Sequence, residues 1–259
     1  METRSRIAVV GATGRAGRHV VDVLRERGHD VVAISRSAGV DVITGAGLPE
    51  ALEGVDCVID VSSTPSPDQQ EATDFFTTSA RNLQEAGAKA GVRRMVVASI
   101  IGIDASVAGY NAAKLAHEQA VLAGPVPVRI LRAAQFHEFV EELASWGIRG
   151  EVCHVPRMRT QLIGARTVAE GLVELATGDG PIAETAGTPF AEIAGPREEN
   201  LAEVAQLVLE RRGHTVRVEE TSDPANPDRG LFENGGLLPG PHATLVGPTY
   251  RDWLAGTSA

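Results

Sequence analysis

Residues 6–17 read RIAVVGATGRAG, which packs a strand, a glycine turn and a helix start into twelve positions. The run 7–10 is β-branched and apolar, the composition of a strand buried in a parallel sheet. Gly11, Gly14 and Gly17 follow at intervals of three. Residues 15–27 then predict a helix that Gly28 stops, with Ala16, Val20, Val21 and Leu24 on one stripe. Such a turn suits a phosphate, because the first N–H groups of a helix lack partners and the helix dipole favours negative charge. Gly11 permits the tight turn, Gly14 a close approach of the backbone to a pyrophosphate, and Gly17 close packing of helix on strand. Ala12, Thr13, Arg15 and Ala16 complete the expected phosphate cradle.

Working outward, residues 30–35 (DVVAIS) predict a second strand, so a βαβ unit closes within about thirty residues. Where a dinucleotide binds such a unit, the end of this strand meets the adenosine ribose: an acidic residue there holds a free 2′-hydroxyl, an arginine a 2′-phosphate. Ser35, Arg36 and Ser37 stand at that point, with no carboxylate before Asp41. That pattern favours NADPH over NADH, and Arg15 is a second cation for the same phosphate. Beyond it lie a marginal strand (VDVIT) and one helical turn at 48–52. A strand at 55–61 (VDCVIDV) follows, and Val61, Ser62 and Ser63 open the turn-rich loop at its carboxyl end, where α/β sheets bind ligands. Further predicted elements are a long helix at 68–91, a strand at 94–99, a helix at 112–123 stopped by Gly124-Pro125, and a strand at 127–131. Strands alternating with helices at this spacing specify an α/β fold with a doubly wound parallel sheet.

The second half is less regular. Residues 138–146 predict an amphipathic helix with Phe139, Val140, Leu143 and Trp146 buried. Thr167 with Glu170, and Asn200 with Glu203, have capping-box spacing. Strands are expected at 190–194 and 215–219, and residues 221–248 read as loop with one helical turn. The expected division is a nucleotide-binding core over 1–150 and, over 151–259, a smaller substrate lobe with segments returning to the core.

The chain has 259 residues, 43% of them hydrophobic and 22% charged, with a net charge of −10. That balance argues against a nucleic-acid partner, which needs clustered Lys and Arg. The seven histidines lack ligand spacing, so no metal is expected, and Cys57 and Cys153 lie too far apart in sequence to suggest a disulfide framework. No apolar run approaches membrane-spanning length and METRSR lacks a signal core, so a cytoplasmic protein is expected.

Tyr110 and Lys114 are four apart at the start of a predicted helix, which puts both on one face about one turn, or ~6 Å, apart. A tyrosine titrates near pH 10 and is a poor acid or base at neutral pH; a nearby ammonium favours the phenolate. Bringing it to about 7 takes roughly 4 kcal/mol, at about 1.4 kcal/mol per unit.

Taken together, GATGRAG, ISRS, VVASIIGID, YNAAKLAHE and ILRAAQFHEF resemble the short-chain dehydrogenase/reductase superfamily, and within it the atypical, NmrA-like NAD(P)H-binding branch. The resemblance runs over nearly the full length, through EIAGPREENLAEVAQLV and GPTYRDWL. It implies a Rossmann-type core with a small C-terminal substrate lobe. It also implies Tyr110 as acid/base, Lys114 holding the nicotinamide ribose, and Ser99 bonded to the substrate oxygen. Ala98, Ala134, Gln135 and Phe136 would lie about the nicotinamide. Ser99 is eleven residues before Tyr110, closer than the branch usually has it; Ala133-Ala134 stands where a Pro-Gly-like pair is common, and Ala46 where an acid often meets adenine. The expected activity is NADPH-dependent hydride transfer to a small carbonyl, quinone or activated alkene. Because many members of the branch lack the Tyr-Lys pair, the alternative is a non-catalytic NAD(P) sensor. A homodimer through the helices at 68–91 and 112–123 is compatible with the pattern.

Overall fold

The computed structural model describes residues 4–66, 68–178 and 190–257. The chain divides into two units whose segments alternate along the sequence. The first comprises residues up to Ser99, Gly109–Arg132 and the described part of Val168–Ala191; the second comprises Ile100–Ala108, Ala133–Thr167 and Glu192 onward.

In the first unit the expected alternation is present: β1 (Arg6–Val10), α1 (Arg15–Glu26), β2 (Asp30–Ile34), α2 (Leu48–Leu52), β3 (Cys57–Asp60), α3 (Gln69–Ala90), β4 (Arg94–Ile100), α4 (Gly109–Leu122) and β5 (Val128–Ala133). These strands stand in the order β5-β4-β3-β1-β2. The pairs formed by β1 with β2 and β3, and by β3 with β4, are parallel, with Ile7 opposite Val31 and Cys57, and Cys57 opposite Arg94. From β1 the chain moves one way to β2 and then returns to place β3 on the other flank. The carboxyl ends of β1 and β3 therefore border the switch point, where such sheets bind ligands. Ala8, Val10, Ile34, Val58, Met95, Val97 and Ile130 pack against Leu48, Leu52, Ala80, Leu83 and Val121, all essentially out of water. Each of these side chains larger than alanine contributes about 1.5–3 kcal/mol, and a slip by one residue would expose a whole strand face, so the register is strongly held.

The marginal VDVIT strand does not form. Asp41 Oδ1 accepts from Ile43 N (2.7 Å) and Thr44 N (3.3 Å), and this local turn takes the backbone groups a strand would need. A buried amide clamps the α4–β5 connection: Gln84 donates to Val121 O and Val126 O and accepts from Val126 N. At Gly124 a Cβ would lie 2.3 Å from that amide, which is why the turn carries a glycine.

The second unit contains α5 (His137–Gly147), β6 (Ile148–Arg149), β7 (Val152–Pro156), β8 (Arg159–Thr160) and the start of α6 (Ala165–Thr177). It continues with β9 (Ala191–Ala194), β10 (Glu199–Asn200), α7 (Leu201–Arg211), β11 (Arg217–Thr221), α8 (Arg229–Glu233), β12 (Thr244–Leu245) and α9 (Tyr250–Gly256). A small sheet orders β11-β7-β6, β10 pairs antiparallel with β8, and β12 pairs parallel with β9. Val140, Ala144, Cys153, Val155, Leu162, Val204, Val208 and Leu254 form its core.

Three expectations change here. Trp146 is 59% exposed, because the buried stripe of α5 is His137, Val140 and Ala144. Helix α6 starts at Ala165, two residues before the Thr167 capping box, and the Glu138 carboxylate of α5 accepts the Ala165 N–H instead. The stretch 221–248 holds α8 and also the short strand β12. The Asn200 cap is present: its Oδ1 accepts from Ala202 N and Glu203 N. Cys57 and Cys153 are free thiols, and burial pushes Cys57 up to about 12.

His137 is fully buried, its ring between Tyr250 and Trp253 at centroid distances of 5.4 and 5.1 Å. Burial pushes this imidazole down to about 4 from the free value near 6.5. Between those values the unfolded chain binds a proton that the folded chain rejects. Stability is therefore full above pH 6.5 and falls as pH drops towards 4, by roughly 3 kcal/mol in all. His137→Leu, neutral throughout, should match the parent protein within about 1 kcal/mol at pH 7 and exceed it by about 2 kcal/mol at pH 4.5 in urea unfolding. Equal acid sensitivity in the two proteins would remove His137 as the cause.

Candidate active site

The glycine turn lies at the carboxyl end of β1 beside that of β3. Gly11 takes φ +78°, a left-handed conformation costly for any residue with a Cβ, and a Cβ there would meet Val61 O at 2.9 Å. At Gly17 a Cβ would stand 2.0 Å from Gly11 O, so α1 can approach the turn only without a side chain. Gly14 differs. Its φ of −76° is ordinary, it is exposed, and a Cβ would touch only Gly11 O, at 3.2 Å. The chain's own packing thus needs this glycine least, whereas a ligand lying against the backbone would need it most. Gly14 is also the N-cap of α1 and offers no side-chain acceptor, so the positive end of the helix at Ala16 and Gly17 is presented to an external anion. Ala12 is buried below the turn and Thr13 is exposed on it.

Ser35, Arg36 and Ser37 sit where β2 ends. The two hydroxyls are 2.9 Å apart, Ser35 Oγ accepts from Ala38 N, and Arg36 is exposed. The first carboxylate downstream, Asp41, is engaged in its own turn.

Past β3, Val61 N donates to Val10 O and Ser62 N to Asp60 Oδ1. Ser63 Oγ lies 2.9 Å from the Tyr110 hydroxyl, which joins the β3 loop to the first turn of α4. The start of α4 is itself held by Gln69 Oε1, which accepts from Gly109 N, and Tyr110 packs edge-on to Phe76 at 5.6 Å. Burial lifts the Tyr110 phenol above its ordinary range; the Ser63 hydrogen bond pulls the other way and the Asp60 charge adds to the rise. The lowering expected from Lys114 is absent in the protein alone. The reason is geometric: the Lys114 ammonium donates to Ala98 O at 2.9 Å, meets His117 Nδ1 at 2.9 Å and lies 4.6 Å over the Phe76 ring. Burial brings Lys114 down to about 8, with Asp60 and Glu118 opposing.

Ser99, at the end of β4, is buried and its hydroxyl has no hydrogen-bond partner among the described residues. An unsatisfied buried hydroxyl costs free energy, so a ligand atom that reached it would be welcomed. Gly11–Gly17, Ser35–Ser37, Val61–Ser63, Ala98, Ser99, Tyr110 and Lys114 all belong to the first unit. Ala134, Gln135 and Phe136 belong to the second. There Ala134 is buried, Gln135 Oε1 accepts from Thr160 Oγ1 and Phe136 is the N-cap residue of α5.

Two residues escaped the sequence reading, Asp60 and His117. Both are buried, and His117 Nε2 lies 3.3 Å from Asp60 Oδ2. A carboxylate inside the apolar strand CVID, and a histidine one helical turn beyond Lys114 on the same face, were the available signals.

Comparison with known proteins bears on this site. Residues 11–138 match the family model described as NAD(P)H-binding. Over 110 residues the chain is 33% identical to the photosystem II assembly factor Ycf39 of Synechocystis sp., covering 37% of this chain and 34% of that protein. Over 146 residues it is 32% identical to the ceramide reductase of Caulobacter vibrioides, covering 51% and 46%. The match thus spans less than half the length of either relative. Among solved structures, MoeE5 in complex with UDP-glucuronic acid and NAD superposes with a TM-score of 0.69 over 96% of both chains at 19% identity. At that identity the likeness is one of fold. No helix among the described residues is long and apolar enough to cross a membrane.

Proposed function

We propose, from the match of residues 11–138 to the NAD(P)H-binding family model, that the chain is an atypical, short-chain-dehydrogenase-like NADPH-dependent oxidoreductase of a small carbonyl, quinone or activated alkene, with Tyr110 as proton donor. The observation that carries this reading is the half-buried Tyr110 phenol, anchored 2.9 Å from Ser63 Oγ and one helical turn from the buried Lys114 ammonium. Burial keeps Tyr110 protonated at neutral pH, and the neutral phenol is the form that can protonate a developing alkoxide. The buried, unsatisfied hydroxyl of Ser99 offers that oxygen a donor.

The residues at the glycine turn fit a dinucleotide. The N–H groups of Ala16 and Gly17 would bind its pyrophosphate against the bare backbone of Gly14. Arg36, with Ser35 and Ser37 beside it and Arg15 as a second cation, would hold a 2′-phosphate. Lys114 would hold the nicotinamide ribose, and Val61, Ser62 and Ala98 would line the dinucleotide. Once bound, the nicotinamide supplies the hydride. An epimerase with tightly held NAD is disfavoured by Arg36 at the ribose position.

Calorimetric titration with NADPH and with NADH tests the cofactor assignment. NADPH should bind at micromolar concentration, and NADH about tenfold more weakly or worse. Arg36→Ala should weaken NADPH by about tenfold, equivalent to about 1.4 kcal/mol, and leave NADH unchanged. Absence of binding to either nucleotide would overturn the reading. NADPH consumption with a panel of quinones and carbonyl compounds tests the activity; tight binding with no turnover on any of them would replace the enzyme by a cofactor-sensing regulator.

A further inference from the structure

Next to Tyr110, three elements bring four side chains together away from water. Asp60 comes from β3, Phe76 from α3, and Lys114 and His117 from α4; none is more than 5% exposed. An ammonium only donates, so Lys114 Nζ gives hydrogen bonds to Ala98 O and to His117 Nδ1. An imidazole that accepts at Nδ1 carries its proton on Nε2, and that atom faces Asp60 Oδ2 at 3.3 Å. The second Asp60 oxygen accepts from Ser62 N at 2.8 Å. The order is ammonium, neutral imidazole, carboxylate, with the Phe76 ring stacked on His117 at 4.9 Å.

We propose that Asp60 and His117 are the positioning residues of this site: they fix the Lys114 side chain and keep its ammonium charged in a buried place. This rests on the reading of Tyr110 and Lys114 given above. A buried amine without an opposing charge gives up its proton, and one with a free tether adopts many rotamers. Each element packed on Lys114 presents its own group. On α4 these are Tyr110, His117 and Glu118. From β5 Arg132 reaches Glu118, binding both its oxygens at 3.0 and 2.7 Å, so that carboxylate is already neutralised. From α3 comes an aromatic face, from β4 a carbonyl. Asp60, on β3, is left to balance the ammonium. Both shifts agree: the partners hold Asp60 below the usual carboxylate range despite burial, while burial and the Lys114 charge lower His117 and keep it neutral.

The chain contains two lysines, Lys89 and Lys114. Protein labelled with carbon-13 at lysine Cε therefore gives two signals, and the exposed Lys89 serves as an internal control. In the cofactor-free protein, Asp60→Asn should move the Lys114 titration midpoint down by about one unit or more while the Lys89 signal keeps its course. His117→Asn leaves a short acceptor near Lys114 but cuts the link to Asp60, and should shift the midpoint the same way by less. The alkaline limb of the pH profile for NADPH consumption should follow the Lys114 midpoint in each variant. An unmoved midpoint in both variants overturns the proposal, and should Asp60→Asn not fold, an unmoved midpoint in His117→Asn alone does so. A protein that never consumes NADPH, yet whose Lys114 midpoint moves, refutes the oxidoreductase reading and leaves the holding of Lys114 intact.

Discussion

On the function proposed above, Tyr110→Phe should lower NADPH-dependent turnover by about two to four orders of magnitude and leave NADPH affinity within about threefold. The size follows from what is removed: one oxygen, and with it the proposed proton donor, a contribution typically worth about 10²–10⁴ in rate. The small effect on binding follows from placement. The Tyr110 hydroxyl is satisfied by Ser63 Oγ, while the groups offered to the dinucleotide are the N–H donors of α1 and the Arg36 side chain. The phenyl ring remains packed on Phe76, so the fold is kept. Steady-state kinetics and calorimetry on the same preparation check both halves. Full activity in the Phe variant would refute the proton-donor role, and equal losses in turnover and affinity would make Tyr110 a binding residue.

Gly17→Ala destabilises the first unit by about 3 kcal/mol or more, the upper end of overpacking penalties. The added methyl would sit 2.0 Å from the Gly11 carbonyl, and that neighbour is main chain, not the end of a flexible side chain. The turn must open, and with it the seat of α1 on β1. For a chain of this size each kcal/mol is worth about 2–4 °C, so a drop in Tm of roughly 6–12 °C is expected by circular dichroism. Gly14→Ala gives the opposite profile. Its methyl meets only one atom at 3.2 Å, so Tm falls little, but NADPH affinity falls by about tenfold or more because the methyl occupies the surface a pyrophosphate would touch. Unchanged Tm in Gly17→Ala would contradict the close approach, and undiminished binding in Gly14→Ala would remove the dinucleotide from the turn.

The strength of these expectations reflects how much of the first unit was legible. Gly11, Gly14 and Gly17 between a β-branched run and an amphipathic helix leave few alternatives, since backbone conformation and apolar periodicity are local properties. The VDVIT segment misled because its valines suit a strand, while Asp41 captures the neighbouring N–H groups in a turn. Trp146 misled because hydrophobic residues at helical spacing need not all face inward, and here His137 takes a buried position that a pattern count gives to apolar residues. Asp60 and His117 were invisible for another reason. Their partnership joins β3 to α4 across more than fifty residues of sequence, and no periodicity reports which polar groups a fold will bring together.

The alternation of the two units along the chain sets a rule for anyone recombining this protein with a relative. A single crossover near the middle of the sequence would not exchange one unit for another. Residues 100–108 and 133–167 belong with the C-terminal segment, whereas the described part of 168–191 belongs with the nucleotide turn, so a graft that respects the units needs five junctions. Four of them fall inside elements, in β4, β5, α6 and β9, where a seam must preserve helix phase and strand register. A library built on one central breakpoint therefore mixes the two parents inside both units, whereas point changes leave each unit's packing with its own parent.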